Sequence, residues 1–309
     1  SRRRCSSDGE AAVTGERDAV GQPAAGPVAS VVIPAHNEAR VIGRCLDALR
    51  AGAPPGALET LVVCNGCADD TADIARRAGV RVLETPRANK AAALNLGDAA
   101  ASCFPRFYVD ADVVVSGAAL LTVADALRTG ECLAAAPRMT VDLAGTSWAV
   151  RSYYRIWMRL PYATSDHVGS GVVGLSAQGR SRFDRLPDAI ADDYFLYSLF
   201  APGERRTVQD VTFTVFPART ARHLIRRKTR VFAGNLQLRD QGHARPRHGD
   251  DRGGGLAAVL AADPRLLVAL PAFAGISAAA KVLARRKVAR GGLGSWERDE
   301  SSRTGVELR

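Results

Sequence analysis

Short β-branched and apolar runs alternate with longer segments of helical pattern along the first 130 or so residues. Residues 28–33 precede 38–51, 59–64 precede 70–78, 80–83 precede 89–101, and 107–109 precede 116–128. Such alternation predicts a parallel sheet with helices on both faces, in which ligands bind at the carboxyl ends of the strands. Beyond residue 130 the rhythm changes to a strand at 132–141, a helix at 146–160, a glycine-rich stretch at 169–174, and helices near 187–200 and 219–238. This half is expected to extend the same sheet and to build the second wall of a cleft. No repeat with the period of a solenoid or propeller is visible.

The flanks differ from this body. Residues 1–27 are rich in Arg, Ser, Gly, Ala and Pro without apolar periodicity and read as a disordered leader. Residues 28–245 form the main domain, and 246–309 a basic and apolar C-terminal tail, expected to be helical. Within it, residues 266–280 are an uncharged stretch of 15 residues containing Pro271 and Gly275, followed by Lys281, Arg285, Arg286 and Lys287. A bilayer span needs about 20 residues. Spanning once from a cytoplasmic body would also put the basic cluster outside, against the positive-inside tendency. An interfacial helix on anionic lipid fits better, and a helix packed on the protein's own core is its equal rival. The expected location is cytoplasmic, peripheral at the inner face of the cell membrane.

Composition narrows the class. Of 309 residues, 47% are hydrophobic and 24% charged, the balance of a folded body and not of a disordered chain or a polytopic membrane protein. The net charge of +10 lies in the last third: residues 1–200 hold 21 Lys/Arg against 22 Asp/Glu, residues 201–309 hold 21 against 10. A basic third suits anionic lipid, phosphate-bearing substrates or nucleic acid. No RNP, helix-turn-helix or zinc-finger pattern accompanies it, so nucleic acid is not an expected partner. Cys5, Cys45, Cys64, Cys67, Cys103 and Cys132 are scattered, without a secretory leader before them, and read as reduced thiols. Cys64-Asn65-Gly66-Cys67 has redox or zinc spacing but lacks a second pair of ligands, which favours two small residues at a strand end.

The chemistry-bearing residues sit where strands end. Pro34, Ala35, His36, Asn37 and Glu38 follow the first strand where a dehydrogenase has GxGxxG, and no GxxxxGK[ST] occurs, which disfavours dinucleotide and P-loop sites. Tyr108-Val109-Asp110-Ala111-Asp112 is an apolar strand ending in two carboxylates. In extended chain, i and i+2 point the same way, so both could meet one Mg2+ or Mn2+ that bridges to a diphosphate. A pair of solvated turn aspartates is the simpler alternative.

These motifs do not stand alone. Val31-Val32-Ile33-Pro34-Ala35-His36-Asn37-Glu38-Ala39, Val62-Val63-Cys64-Asn65-Gly66-Cys67-Ala68-Asp69-Asp70-Thr71, Asn89-Lys90-Ala91-Ala92-Ala93-Leu94-Asn95-Leu96-Gly97 and the Asp110/Asp112 pair resemble, in order and spacing, the nucleotide-sugar half of family 2 glycosyltransferases with the GT-A fold. The resemblance continues through the glycine-rich stretch at 169–176 and Asp192-Asp193-Tyr194-Phe195-Leu196, similar to the family's ED-x-x-L with Asp for Glu. It implies a nucleotide-sugar half over 28–115 and an acceptor half over 116–245.

By that resemblance Pro34, Ala35 and Glu38 border the nucleoside, Glu38 reaching the ribose, and Asn65 stands where the family often has an acidic residue facing the base. Lys90, at a helix start and one of four lysines in the chain, meets the diphosphate or sugar. Asp110 and Asp112 hold a divalent metal, and Gly171 lines the acceptor side. Asp193, with Asp192 as the alternative, deprotonates the acceptor hydroxyl in a single inverting displacement. His36 is a structural loop residue. Arg227 and Arg230 resemble the basic QxxRW segment of processive members and serve the diphosphate or acceptor side. Arg227 replaces its Gln and Val231 its Trp, which favours a single transfer over polymer synthesis.

The expected activity is sugar transfer from a nucleotide-diphosphate sugar to a hydroxyl of a lipid-linked or envelope-polysaccharide acceptor. A nucleotidyltransferase on a similar fold would need a glycine- and arginine-rich loop after the first strand, which is absent. A non-catalytic membrane-surface or nucleic-acid-binding module would leave Asp110, Asp112, Asp192 and Asp193 unexplained.

Overall fold

A computed structural model describes residues 26–164, 169–188, 191–242 and 252–290. The expected leader, but for residues 26 and 27, and the tail beyond residue 290 lie outside the described residues. The first half follows the alternation in the sequence. Strand β1 (Ala29–Ala35) leads to helix α1 (Ile42–Arg50), β2 (Leu58–Asn65) to α2 (Thr71–Arg77), and β3 (Arg81–Thr85) to α3 (Lys90–Ala100). Then β4 (Arg106–Val109) and the short β5 (Val114–Val115) precede α4 (Gly117–Arg128).

The second half is less regular. It runs through β6 (Ala134–Val141), α5 (Trp148–Trp157), the short α6 (Pro161–Thr164), β7 (Val172–Leu175) and the short α7 (Ala177–Arg180). Next come α8 (Asp192–Ser198), β8 (Arg205–Val215), α9 (Ala221–Asp240) and α10 (Arg252–Ala262). A 3-10 turn over Pro264–Ala269 leads into α11 (Leu270–Ala289).

Among the described residues, eight strands join one sheet in the order β3-β2-β1-β4-β7-β6-β8-β5. The first four are mutually parallel, β7 is antiparallel to both β4 and β6, and β8 is parallel to β6. Every residue of β1 is buried, as a central strand covered on both faces requires. Its side chains alternate: Val31 and Ile33 pack with Ile42 and Leu46 of α1, whereas Val32 packs with Leu94 of α3. Gly97 makes the second contact possible, because a Cβ there would lie 2.4 Å from Val32 Cγ1 and 2.9 Å from Val63 Cγ2. The seat of α3 against β1 and β2 is what carries Lys90 to the carboxyl edge of the sheet.

Two features depart from the sequence reading. Strand β8 had no counterpart in it: Arg205, Arg206, Gln209 and Asp210 interrupt its apolar positions, and the register with β6 slips between Pro137 and Arg138. A bulged strand loses the two-residue alternation by which strands are recognised. The Asp110/Asp112 segment is also not extended. Val113 N donates to Asp110 O at 3.3 Å, closing a turn, because the chain must leave β4 in mid-sheet for β5 at its far edge. The geometric reason for expecting both carboxylates on one side of a strand is therefore wrong.

Among the described residues, one helical run, Pro264–Ala289, is long and apolar enough to cross a membrane by length and composition alone. It packs one face on the body: Ile276, Ala280 and Ala284 are buried, and the Phe273 ring lies 5.2 Å from that of Tyr153 on α5. Its other face leaves Leu267 and Val268 55% and 72% exposed.

Candidate active site

The site is built around Lys90. Asn89 caps α3 by accepting from Ala92 N at 2.7 Å, which makes Lys90 the first helical residue and sets it over the end of β4. Its Nζ lies 2.7 Å from Asp110 Oδ1 and 2.8 Å from Asp192 Oδ2. The ammonium thus ties the end of β4 to the start of α8. Burial opposes charge on Lys90, but the carboxylates of Asp110, Asp192 and Asp193 outweigh it and raise its pKa well above the ordinary lysine value. Burial likewise works against the Asp110 carboxylate, yet Lys90, with Arg227 and Arg230 behind it, holds its pKa below the ordinary value.

The two aspartates opening α8 behave differently. Burial raises the pKa of Asp192, Lys90 offsets part of the rise, and Asp110 adds to it. Asp193 is pushed up to about 7, first by burial and then by the neighbouring Asp192 charge. Its Oδ2 accepts from Ser170 N at 3.0 Å. Ser170 adopts a left-handed φ of 61°, between Gly169 and Gly171, both at positive φ. Gly171 fits because nothing larger does: a Cβ would lie 2.7 Å from Val113 Cγ1 and 3.4 Å from Asp110 Oδ2, and its carbonyl accepts from Asp110 N at 2.8 Å. The glycine-rich stretch therefore touches Asp110 and Asp193 together.

Asp112 is half-exposed on the turn after β4, and its charge acts on Arg44. Arg44 donates to Asp112 O at 3.4 Å and stacks 3.8 Å from the Phe216 ring centroid. The charges of Arg227 and Arg230 on α9 reach Asp110, while Lys228 turns instead to the aromatic face of α5, 4.6 Å from the Trp157 ring centroid. Among the described residues, no group of three or more His, Cys, Asp or Glu forms a metal cage. Asp110 and Asp112, hard oxygen donors on one turn, match an ion that takes its remaining ligands from water and substrate phosphate.

At the other end, the tips of β1 and β2 are closed by hydrogen bonds. Asn65 is fully buried, its Nδ2 donating to Ala35 O at 2.9 Å, and its Oδ1 has no partner among the described residues. The side chain is therefore buried at the closure and not exposed to the cleft, with Nδ2 committed to the bridge between two strand ends. Glu38 is also buried, its N–H donating to Thr71 Oγ1 at 2.8 Å. Pro34 and Ala35 end β1, with Ala35 buried beneath this closure. His36 Nδ1 lies 2.6 Å from Asn65 O, which agrees with a structural loop role.

Sequence reasoning missed Ser170, Arg44 and a buried knot behind Lys90. In that knot Asp98 of α3 accepts from Arg106 NH1, Tyr108 OH and Arg180 Nε at 2.7, 2.7 and 2.8 Å. Arginine at the start of a buried, otherwise apolar strand was the available sign.

Comparison with known proteins decides the class. Residues 30–185, half of the chain, match the model of Glycosyl transferase family 2. The chain belongs to this family. Glycosyltransferase AglD of Haloferax volcanii is 28% identical over 197 residues, 59% of this chain and 31% of AglD, so the match spans about a third of that relative's length. Among solved structures, the mannosyltransferase PcManGT from Pyrobaculum calidifontis, in complex with GDP-Man and Mn2+, matches with a TM-score of 0.58 at 21% identity, covering 87% of this chain and 80% of that one. The family 2 chain thus has the GT-A fold.

Proposed function

We propose that this family 2 enzyme moves a sugar from a nucleotide-diphosphate sugar to an acceptor hydroxyl by a single inverting displacement, with Asp193 as the general base. The observation that carries this reading is the cluster itself: Lys90 ties Asp110 to Asp192, while the adjoining Asp193 takes the Ser170 N–H and is pushed by burial up to about 7. A carboxylate with a pKa near the working pH accepts a hydroxyl proton and returns it to water most efficiently. Ser170 N–H aims its carboxylate, and Asp192, bound to Lys90, keeps its neighbour's pKa high.

Lys90 lies at the positive end of α3, where ammonium and helix dipole together favour a diphosphate. Arg227 and Arg230 add positive charge from the acceptor half. Asp110 and Asp112 would hold Mg2+ or Mn2+. A bound ion there supplies Lewis-acid stabilisation of the departing negative charge. Backbone groups at Pro34 and Ala35, with Glu38 and Asn65 behind them, form the nucleoside end. The donor class agrees with the GDP-Man and Mn2+ held by the mannosyltransferase of the same fold.

The acceptor is lipid-linked, and the enzyme docks peripherally on the cytoplasmic membrane face. Support comes from the exposed apolar residues Leu267 and Val268 on the 3-10 turn before α11 and Val282 and Leu283 on α11, the last two beside exposed Lys281, Arg285 and Arg286. Apolar insertion beside basic residues is the pattern of an interfacial helix on anionic lipid.

A thermal-shift screen of nucleotide sugars, with and without Mn2+, tests the donor reading. One donor should raise the melting temperature only with the ion, since a ligand at 100 times its Kd adds about 2.7 kcal/mol. Equal stabilisation without metal, or none by any donor, contradicts it.

A further inference from the structure

Cys64 and Cys67 are not used by the transfer chemistry, yet they occupy the closure of the nucleoside end. Cys64, on β2, pairs in register with Ala35 of β1 and is buried. Gly66, at φ 62°, turns the chain so that Cys67 comes back over β1, where a Cβ on that glycine would lie 3.1 Å from Ala88. There Cys67 Sγ accepts from Asn37 N at 3.3 Å and donates to Ala35 O at 3.4 Å. Asn37 Oδ1 in turn accepts from Ala68 N at 2.7 Å. One half-exposed sulfur therefore holds both loops that cap β1 and β2.

We infer that Cys64 and Cys67 are a redox modification site, and that their disulfide resets the loop bearing Asn37 at the nucleoside end of the cleft. Both thiols lie at Ala35, Cys64 buried and in register with it and Cys67 more open with its Sγ on the Ala35 carbonyl; the nearby Cys64 thiol lowers the Cys67 pKa to about 6, while Cys67 and burial raise that of Cys64. Cys67 is accordingly the nucleophile and Cys64 the resolving thiol. With a hydroperoxide as oxidant, the Cys67 thiolate attacks an oxygen, forming the S–O bond of a sulfenic acid as O–O breaks and an alkoxide leaves, to be protonated to the alcohol. The Cys64 thiol then attacks the Cys67 sulfur. The S–S bond forms, S–O breaks, and hydroxide leaves as water with the Cys64 proton. Two thiols and one hydroperoxide give one disulfide, one alcohol and one water. A dithiol reductant reverses it.

The disulfide's effect on nucleotide rests on the donor reading above; its formation does not. The full chain is treated with hydrogen peroxide, alkylated and digested with trypsin. The segment between Arg50 and Arg76 contains both sulfurs and no other cysteine. It should become lighter by two hydrogens and regain them with dithiothreitol. Hydrogen exchange at the Asn37 amide should quicken once the free sulfur is lost. Affinity for uridine or guanosine diphosphate, whichever binds the reduced chain, should fall roughly tenfold, the scale of one lost hydrogen bond.

In Cys64→Ser, peroxide should leave a sulfenic acid on Cys67 that dimedone captures, and Cys67→Ser should bind nucleotide equally before and after peroxide. Two thiols that still alkylate after peroxide, no dimedone adduct on Cys67, or a disulfide that leaves Asn37 exchange unchanged overturns the inference. If the disulfide and the exchange change appear while neither nucleotide binds the reduced chain, the donor reading fails and the dithiol stands.

Discussion

Asp192 and Asp193 are neighbours in sequence and both buried, but they touch different partners. Asp192 is committed to Lys90 at 2.8 Å, whereas Asp193 accepts a backbone N–H from Ser170. That difference assigns the base. Asp193→Asn should retain donor affinity and lose roughly 10²–10⁴-fold in turnover, the usual contribution of general-base catalysis. Because burial raises the Asp193 pKa to about 7, the carboxyl is protonated below that pH and cannot accept a proton. The kcat/KM of the wild type should therefore fall on the acid side, by about tenfold per unit once below the pKa. An acid limb unchanged in Asp193→Asn, or Asp192→Asn as the deader variant, shifts the role by one position. At this scale the sequence exposed the charged members of the cluster, since Lys90, Asp110, Asp192 and Asp193 stand in recognisable patterns. It could not expose Ser170, whose contribution is a backbone N–H at positive φ and would look the same from many side chains. Nor could it expose the burial of Asn65, whose side-chain type suits ligand recognition but whose burial depends on a neighbouring strand.

Among the elements, α3 decides the cleft, because it alone brings Lys90 to the end of β4. Two devices seat it, the Gly97 contact with Val32 and Val63 and the Asp98 knot to β4 and α7. Burial works against the Asp98 carboxylate, but hydrogen bonds from Arg180, Arg106 and Tyr108 outweigh it and lower its pKa. A depressed carboxylate pKa stabilises the fold fully above the unfolded value of about 3.9, and that contribution is lost as pH falls through the folded value. Asp98→Ala leaves two guanidinium groups without their buried partner and should cost about 3–5 kcal/mol in urea unfolding at neutral pH. It should also remove part of the wild type's stability loss below about pH 4. A cost under about 1 kcal/mol, the level of an exposed pair, would show that the knot does not seat α3. The alternating half of the fold could be read in advance because each parallel strand is buried on both faces and each helix carries a buried stripe. The bulged β8 and the turn at Asp110 could not, since both answer to sheet order, which depends on residues far apart in the chain.

For the molecule as a whole, the last third of the chain carries both the excess positive charge and the exposed apolar residues Leu267, Val268, Val282 and Leu283. Of the two readings of residues 266–280, the structure shows the packing on the body, with Leu266, Ala269, Ile276 and Ala280 buried, and the membrane reading is carried as a proposal by exposed Leu267 and Val268. The full chain should bind anionic vesicles and be partly released by salt, as interfacial attraction is and a span is not. Combined Arg285→Glu, Arg286→Glu and Lys287→Glu should weaken binding by on the order of 1 kcal/mol per removed cation before any added repulsion. Equal sedimentation with neutral and anionic vesicles, or no loss in the triple variant, would refute an electrostatic docking surface.

The claim on which the rest depends is that the cleft holds a nucleotide-diphosphate sugar through the Asp110 turn and Lys90. It is tested most directly by calorimetric titration of nucleotide sugars into the full chain, with Mn2+ and with chelator, for the wild type and Asp112→Ala. The wild type should bind one donor only when Mn2+ is present, and Asp112→Ala should lose that binding while its melting temperature without ligand stays near the wild-type value. Unchanged donor affinity in Asp112→Ala with Mn2+ would contradict the assignment of the site.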